Sequence, residues 1–289
     1  MPERKLLLVD GINVLYRAYF AIQGLSTRSG RPTNAVFGFI RMLRQMDRLW
    51  QPTHWAVVLD GGVPAERLAR LPEYKANRPP MPDALREQIP PMQLYLDASR
   101  IPALCLEGLE ADDVLASLAV QRKSEFAEVL VATSDKDLFQ VVDESIHVIP
   151  VTKADRRMGP EAVLEKTGVR PERIAEWLAL TGDTVDNIPG VPGFGPKTAA
   201  ELLATEESLA GVLEAPDRVK SDRLRGRLVE HRDQIARNLD VTRLRLDVPG
   251  LPTSEELERR PGDEARLLQF FREMEFHSMA DELQTASLF

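Results

Sequence analysis

"KLLLVD", residues 5–10, is a run of consecutive apolar side chains closed by an aspartate. A run without polar alternation suits a strand covered on both faces, as in a parallel sheet, rather than one half-exposed to water. The pattern recurs in "HWAVVLD" (54–60), "EVLVATSD" (128–135) and "IHVIPV" (146–151), with "IPALCLEG" (101–108) as a plausible fifth strand. Amphipathic stretches at 35–49, 84–98 and 111–123 separate these runs. The alternation predicts an α/β domain, a mostly parallel sheet flanked by helices. From about residue 152 the chain turns to helical patterns and Gly/Pro turns, with no convincing strand.

Three of the predicted strands end in aspartate: Asp10, Asp60 and Asp135. In open α/β sheets functional groups gather beyond the carboxyl ends of the strands, so these three are expected on one edge. "GLEADDVLASLA" (108–119) adds Glu110, Asp112 and Asp113; acids also suit the first turn of a helix, where they complement its dipole. Asp137 follows Asp135 in "TSDKDLFQ", and "LTGDTVDNIPG" (180–190) supplies Asp183 and Asp186. Nine carboxylates on one edge repel one another strongly unless cations are shared among them. All-oxygen ligands select Mg²⁺ or Mn²⁺, and the histidines at 54, 147, 231 and 277 are scattered without zinc-ligand spacing. Two such ions about 4 Å apart activate a water and stabilise the leaving oxygen of a phosphodiester.

The chain has 289 residues, 43% hydrophobic and 28% charged, the composition of a soluble globular protein. Its single cysteine, Cys105, excludes an internal disulfide and suits a reducing compartment. Asp10 interrupts the first apolar run too early for a signal peptide, and no stretch of 18 apolar residues exists, so a cytoplasmic setting without a membrane span is expected. The net charge of −8 argues against a nucleic-acid partner. Its distribution reverses that argument. Residues 1–50 hold eight Lys/Arg, Arg17 among them, against three acids, and residues 215–245 hold nine against five. Such patches suit phosphates, and also occur as solvated helix faces.

"IPGVPGFGPKTAAELL" (188–203) places Gly190, Gly193 and Gly195 before a helix opened by Pro196, Lys197 and Thr198. The glycines allow the backbone to approach a ligand, and the helix start offers free N–H groups to a phosphate. Pro196 between Gly195 and Lys197 breaks the G-K-T sequence of a P-loop. A backbone clamp of this kind reads no base sequence. The insertion at 61–83 carries Arg67 and Arg70 and includes "EYKANRPP" (73–80). On a helical turn Lys75 and Arg78 share one side, suited to charge building on a phosphate, while Tyr74 is placed to stack on a base.

These motifs, together with "YKANRPPMPDALREQI" and "FFREMEFHSMADEL", resemble the 5′-nuclease (flap endonuclease) family, most closely the N-terminal 5′→3′ exonuclease domain of bacterial DNA polymerase I. The resemblance spans nearly the whole chain in the family's order. It implies a PIN-like nuclease core (1–180) with a helical arch insertion (61–100). It further implies a helical DNA-binding subdomain (181–289) with a helix-hairpin-helix at 186–205 and C-terminal helices. It also implies a Mg²⁺- or Mn²⁺-dependent nuclease with two ions, cutting DNA at 5′ flaps, nicks and 5′ ends in primer removal and repair. Lys75 and Arg78 then act on the scissile phosphate, Arg17, Arg67 and Tyr74 contact DNA, and the hairpin holds a K⁺ ion through backbone carbonyls. Glu66 stands where the family commonly has an aromatic residue, and Phe289 lies where a polymerase I continues, so the chain reads as a free-standing nuclease or a domain of a longer protein. A PIN-type ribonuclease and a catalytically silent branched-DNA module are the alternatives.

Overall fold

A computed structural model describes residues 3–286, so the outermost residues of both expected domains, 1–2 and 287–289, lie outside the described residues. Five strands form one parallel sheet: β1 (Lys5–Asp10), β2 (His54–Leu59), β3 (Ala103–Cys105), β4 (Glu128–Ala132) and β5 (Ile146–Ile149), ordered β3-β2-β1-β4-β5. The chain builds outward from β1 to β3, then returns to add β4 and β5 on the other side. The crevice where that order reverses lies beside β1, beyond the strands' carboxyl ends, where such sheets bind ligands.

Register explains the convergence of the aspartates. Asp10 pairs with Val58 and Val9 with Ala132, so Asp60 and Asp135 emerge just beyond the same edge. Cys105 pairs with Leu59, which sends residues 106–110 past that edge as well.

Side chains alternate across each strand, so every central strand feeds two cores. Leu6, Leu8, Val58, Val129 and Val131 face α6 (Ala111–Arg122) and α8 (Ile174–Thr181). Leu7, Val9, Val57 and Leu130 face the opposite layer, with α1 (Gly11–Ala21), α2 (Asn34–Trp50) and α5 (Ile89–Ala98). Between β2 and α5 lie two short helices, α3 (Ala65–Arg70) and α4 (Asp83–Arg86). The part after β5 is helical, as its sequence predicts: α7 (Pro160–Thr167), α8, α9 (Pro196–Thr205), α10 (Leu209–Glu214), α11 (Asp222–Glu230) and α12 (Arg232–Thr242).

The last two helices are α13 (Glu264–Glu273) and α14 (His277–Ala286). Phe270, Phe271, Met274 and Phe276 pack in the core that also holds Leu7 and Phe39, so this segment returns to the sheet's second layer. Its apolar stripe is completed only by that distant face. No helix among the described residues is long and apolar enough to cross a membrane.

Candidate metal centre and nucleic-acid interface

Several acids at the sheet edge are held by hydrogen bonds from backbone N–H groups. Asp10 caps α1: one oxygen accepts from the Asn13 N–H at 3.0 Å and the other from the Thr133 hydroxyl at 2.9 Å. Asp60 accepts from the Ala111 N–H at 3.0 Å, tying the end of β2 to the start of α6. Asp135 accepts from the Asp137 N–H at 2.9 Å. Asp112 sits in the first turn of α6 and Asp137 opens a 3₁₀ turn over 137–141. Asp183 accepts from the Val185 N–H at 2.8 Å and pairs with Lys136 at 3.2 Å.

Asp112 and Asp137 are only half-buried as residues, yet each has an Oδ1 closed off from solvent with no protein partner. An unpaired enclosed carboxylate oxygen is costly and marks a position for a missing donor or cation. Electrostatics agree. Burial pushes the Asp10 carboxyl up to about 7, against the Asn13 and Thr133 hydrogen bonds and with help from Asp60 and Asp135. Burial first, then Asp135, Asp10 and Asp137, raises Asp112 well above the carboxylate range. Burial and the charges of Asp135, Asp186 and Asp183 raise Asp137 likewise, and Asp135 moves in the same direction. This donor set fits hard divalent cations, which relieve the repulsion that protonation otherwise relieves.

Among the described residues no three acids stand together at ligand spacing. Protein cations hold part of the set instead. Lys75 pairs with Glu110, and Arg78 with Asp186. Burial alone lowers the Lys75 ammonium's pKa, but the charges of Glu110 and Asp186 outweigh it and raise it. Both cations thus face carboxylates of the acidic set.

Three expected site residues lie in the interior. Arg67 is 8% exposed, and pairs with Glu110 and, through both branches at 2.8 Å, with Asp113. Asp113 is fully buried and also accepts from the Arg245 N–H at 2.9 Å. Tyr74 is 6% exposed, with its hydroxyl between Glu110 at 3.1 Å and Asp186 at 3.0 Å. The common cause is that a buried Arg67 needs two anions, and the α6 start supplies them. Nor is the arch segment a continuous helix. After α3 it runs in turns through 72–77 and lies down on the 183–187 loop. Glu66, in place of an aromatic residue, is exposed.

Two helices flank the Gly/Pro turn, α8 before it and α9 after it, and only α9 lies inside the expected 186–205. A Cβ on Gly190 would lie 2.3 Å from the Thr181 carbonyl oxygen, and Gly193 has φ +93°, so the turn requires both glycines. Gly195 precedes Pro196 at the start of α9, and nothing stands within 4 Å of its missing Cβ. Lys197 is 92% exposed, Thr198 half-buried, and Arg17 exposed on α1. Gln234 and Asn238 on α12 brace the hairpin by donating to the Pro189 carbonyl at 2.9 and 2.8 Å. Sequence reasoning missed these two and the arch-binding Asn77 and Asn187. Their amides carry no motif of their own, though Asn187 directly follows Asp186.

The pattern described as "5'-3' exonuclease, N-terminal resolvase-like domain" matches residues 5–168, and "5'-3' exonuclease, C-terminal SAM fold" matches 169–265. DNA polymerase I of Pseudomonas aeruginosa is 40% identical over 293 residues, covering 98% of this chain and 32% of that protein. The chain thus spans about a third of the curated relatives it matches. Two solved structures share the fold. The zinc-bound T5 5'-exonuclease has a TM-score of 0.70 at 22% identity, covering 83% of this chain and 89% of that one. The T5 D15 flap endonuclease in a pseudo-enzyme-product complex with DNA and metal ions has a TM-score of 0.69 at 19% identity, covering 99% and 98%. With contiguous family patterns over most of its length, the chain belongs to the 5′–3′ exonuclease family.

Proposed function

We propose that this chain is a divalent-metal-dependent 5′→3′ exonuclease and flap endonuclease acting on DNA at 5′ ends, nicks and flaps, in primer removal and repair. The observation that carries the reading is the pair of enclosed, unpartnered oxygens of Asp112 and Asp137 in an acidic cluster whose Glu110 and Asp186 pair with Lys75 and Arg78. The T5 relatives crystallised with metal ions and with DNA support it.

In this reading Asp10, Asp60, Asp112, Asp135, Asp137, Asp183 and Asp186 hold two Mg²⁺ or Mn²⁺ ions, and Glu110 joins them once Lys75 turns to the substrate. Bound metal supplies an activated water and neutralises charge on the scissile phosphate. The chain's own groups do the rest. Lys75 and Arg78 orient the phosphate and stabilise its developing negative charge, and the backbone of Gly193–Lys197 grips the duplex, with a K⁺ ion at the hairpin carbonyls. The nuclease unit comprises residues 1–180 and the helical DNA-binding unit residues 181–289, with α8 at their junction as the helix that enters the hairpin.

The test incubates a 5′-flap duplex, its RNA counterpart and single strands with the protein in Mg²⁺ and in excess EDTA. Metal-dependent incision of the flap duplex alone is expected, and Asp112→Asn abolishes it. Preferential RNA cleavage would favour a PIN-type ribonuclease, and binding without incision a branched-DNA module.

A further inference from the structure

We infer that Asn77 and Asn187 are positioning residues: they clasp the arch segment to the 183–188 loop and so hold Lys75 and Arg78 over the carboxylates, an inference that rests on the nuclease reading above. Three hydrogen bonds make the clasp. The Asn187 amide donates to the Glu73 carbonyl at 2.6 Å, the Asn77 amide to the Thr184 carbonyl at 2.8 Å, and the Lys75 N–H to the Asp186 carbonyl at 2.9 Å. None involves a carboxylate oxygen. The ion pairs of Lys75 and Arg78 with Glu110 and Asp186 compete with any bound cation, whereas these three bonds do not. The segment therefore stays docked while the two cationic side chains are free to change partner.

Backbone geometry supports a built contact. Lys75 and Asn187, on opposite sides of the clasp, both adopt left-handed conformations, at φ 58° and 57°. Such residues persist only where their surroundings over-determine them. Beneath the polar bonds, Leu71 and Tyr74 of the arch segment form a small buried cluster with Ile188 and Val241.

The 183–188 loop is itself closed by reciprocal backbone bonds between Asp183 and Ile188, at 2.9 and 2.8 Å. Ile188 leads directly into Pro189 and Gly190, whose carbonyls accept from Gln234 at 2.9 and 3.2 Å. A continuous set of contacts thus joins the duplex-gripping hairpin to the cations of the arch. Duplex seated on the hairpin would steady the loop that carries the clasp, and with it Lys75 and Arg78. Contact alone does not measure coupling, so the inference is tested by a double-mutant cycle.

Asn187→Gly keeps the left-handed backbone while deleting the amide, and Asn77→Ala removes the other donor. Each is expected to lower single-turnover cleavage of a 5′-flap duplex about fivefold to tenfold, the rate equivalent of one neutral hydrogen bond. Flap-duplex affinity in Ca²⁺ and the thermal midpoint should hold. In a Lys75→Ala/Arg78→Ala background the same changes should cost nothing further. An equal loss in that background, or no loss in the wild-type one, overturns the inference. A second readout does not depend on cleavage: exchange of the Lys75 amide hydrogen should accelerate in Asn187→Gly. Unchanged exchange overturns the clasp whatever the chain cleaves. Accelerated exchange in a protein whose wild type leaves flap DNA intact upholds the clasp and overturns the nuclease reading instead.

Discussion

Arg67 grips Asp113 with both branches of its guanidinium, Nη1 to Oδ2 and Nη2 to Oδ1, each at 2.8 Å in the protein interior. The pair joins α3 to the start of α6, and the Arg67 Nε also donates to the Val241 carbonyl at 3.0 Å, so three elements meet at one side chain. Removing one partner of such a pair leaves a buried charge uncompensated. Arg67→Ala is therefore expected to destabilise the fold by about 3–5 kcal/mol. Arg67→Lys should recover only part, since an ammonium does not reproduce the two-pronged contact. Urea denaturation measures this. A loss of DNA affinity with unchanged stability would return Arg67 to the DNA interface.

The metal centre should make the metal-free protein less stable as pH rises. Asp10 is raised from 3.8 to about 7 in the fold, and Asp112, Asp135 and Asp137 are raised with it. The folded state then binds more protons than the unfolded chain, so the stability Asp10 contributes is present below about pH 4 and is lost as pH climbs through about 7, and the other three change stability in the same direction. Mg²⁺ should flatten that decline, because it replaces the protons. Urea midpoints from about pH 5 to about pH 8, with Mg²⁺ and with EDTA, check the sign. A metal-free protein that gains stability over this window contradicts the electrostatics.

The sheet and its acidic edge were legible because both are local patterns. A continuous apolar run followed by aspartate specifies a buried strand and the side chain beyond its end, and Asp10, Asp60 and Asp135 all appear where that logic puts them. What could not be read was which charges neutralise which. Arg67 and Asp113 are 46 residues apart, and an arginine in a charge-rich stretch looks solvent-exposed until the fold brings it to an anion. The burial of Tyr74 was hidden for the same reason, its partner Asp186 lying 112 residues away. The "FFREMEFHSMADEL" segment was legible as C-terminal helix only through the resemblance, and the face it covers is set by tertiary packing against α2 and α5.

Lys75 and Arg78 offer a prediction that separates catalysis from binding. Their charges already meet carboxylates in the resting fold, so they add little to the attraction of free DNA. Lys75→Ala is expected to lower single-turnover cleavage about a hundredfold or more, as removing a donor to transition-state charge does, while flap-duplex affinity changes far less. The left-handed backbone at Lys75 is as strained with alanine as with lysine, so the substitution reports on the ammonium alone. Equal losses in rate and affinity would make both cations ordinary binding groups.

The hairpin glycines differ in what they test. Replacing Gly190 drives a side chain into the Thr181 carbonyl, and replacing Gly193 strains a backbone at φ +93°, so both variants report on folding before they report on DNA. Gly195 alone of the three has an ordinary φ of −76° and open space beyond its Cβ position. Gly195→Val should therefore lower the unfolding free energy read from urea denaturation by no more than about 1 kcal/mol, the scale of a poorer N-cap residue. It should still hold a phosphate backbone away from the start of α9 and weaken binding to any duplex, whatever its sequence. Lys197, whose nearest anion is Glu201 at 4.0 Å, is free to meet a phosphate. Lys197→Ala should flatten the dependence of affinity on salt by about one counterion. Both are read from salt titrations of flap-duplex binding in Ca²⁺. Unchanged affinity in Gly195→Val with an unchanged slope in Lys197→Ala would leave the hairpin as a structural turn. The grip would then fall to the basic helices of 215–245, where Arg223 and Arg232 would be the next residues to remove.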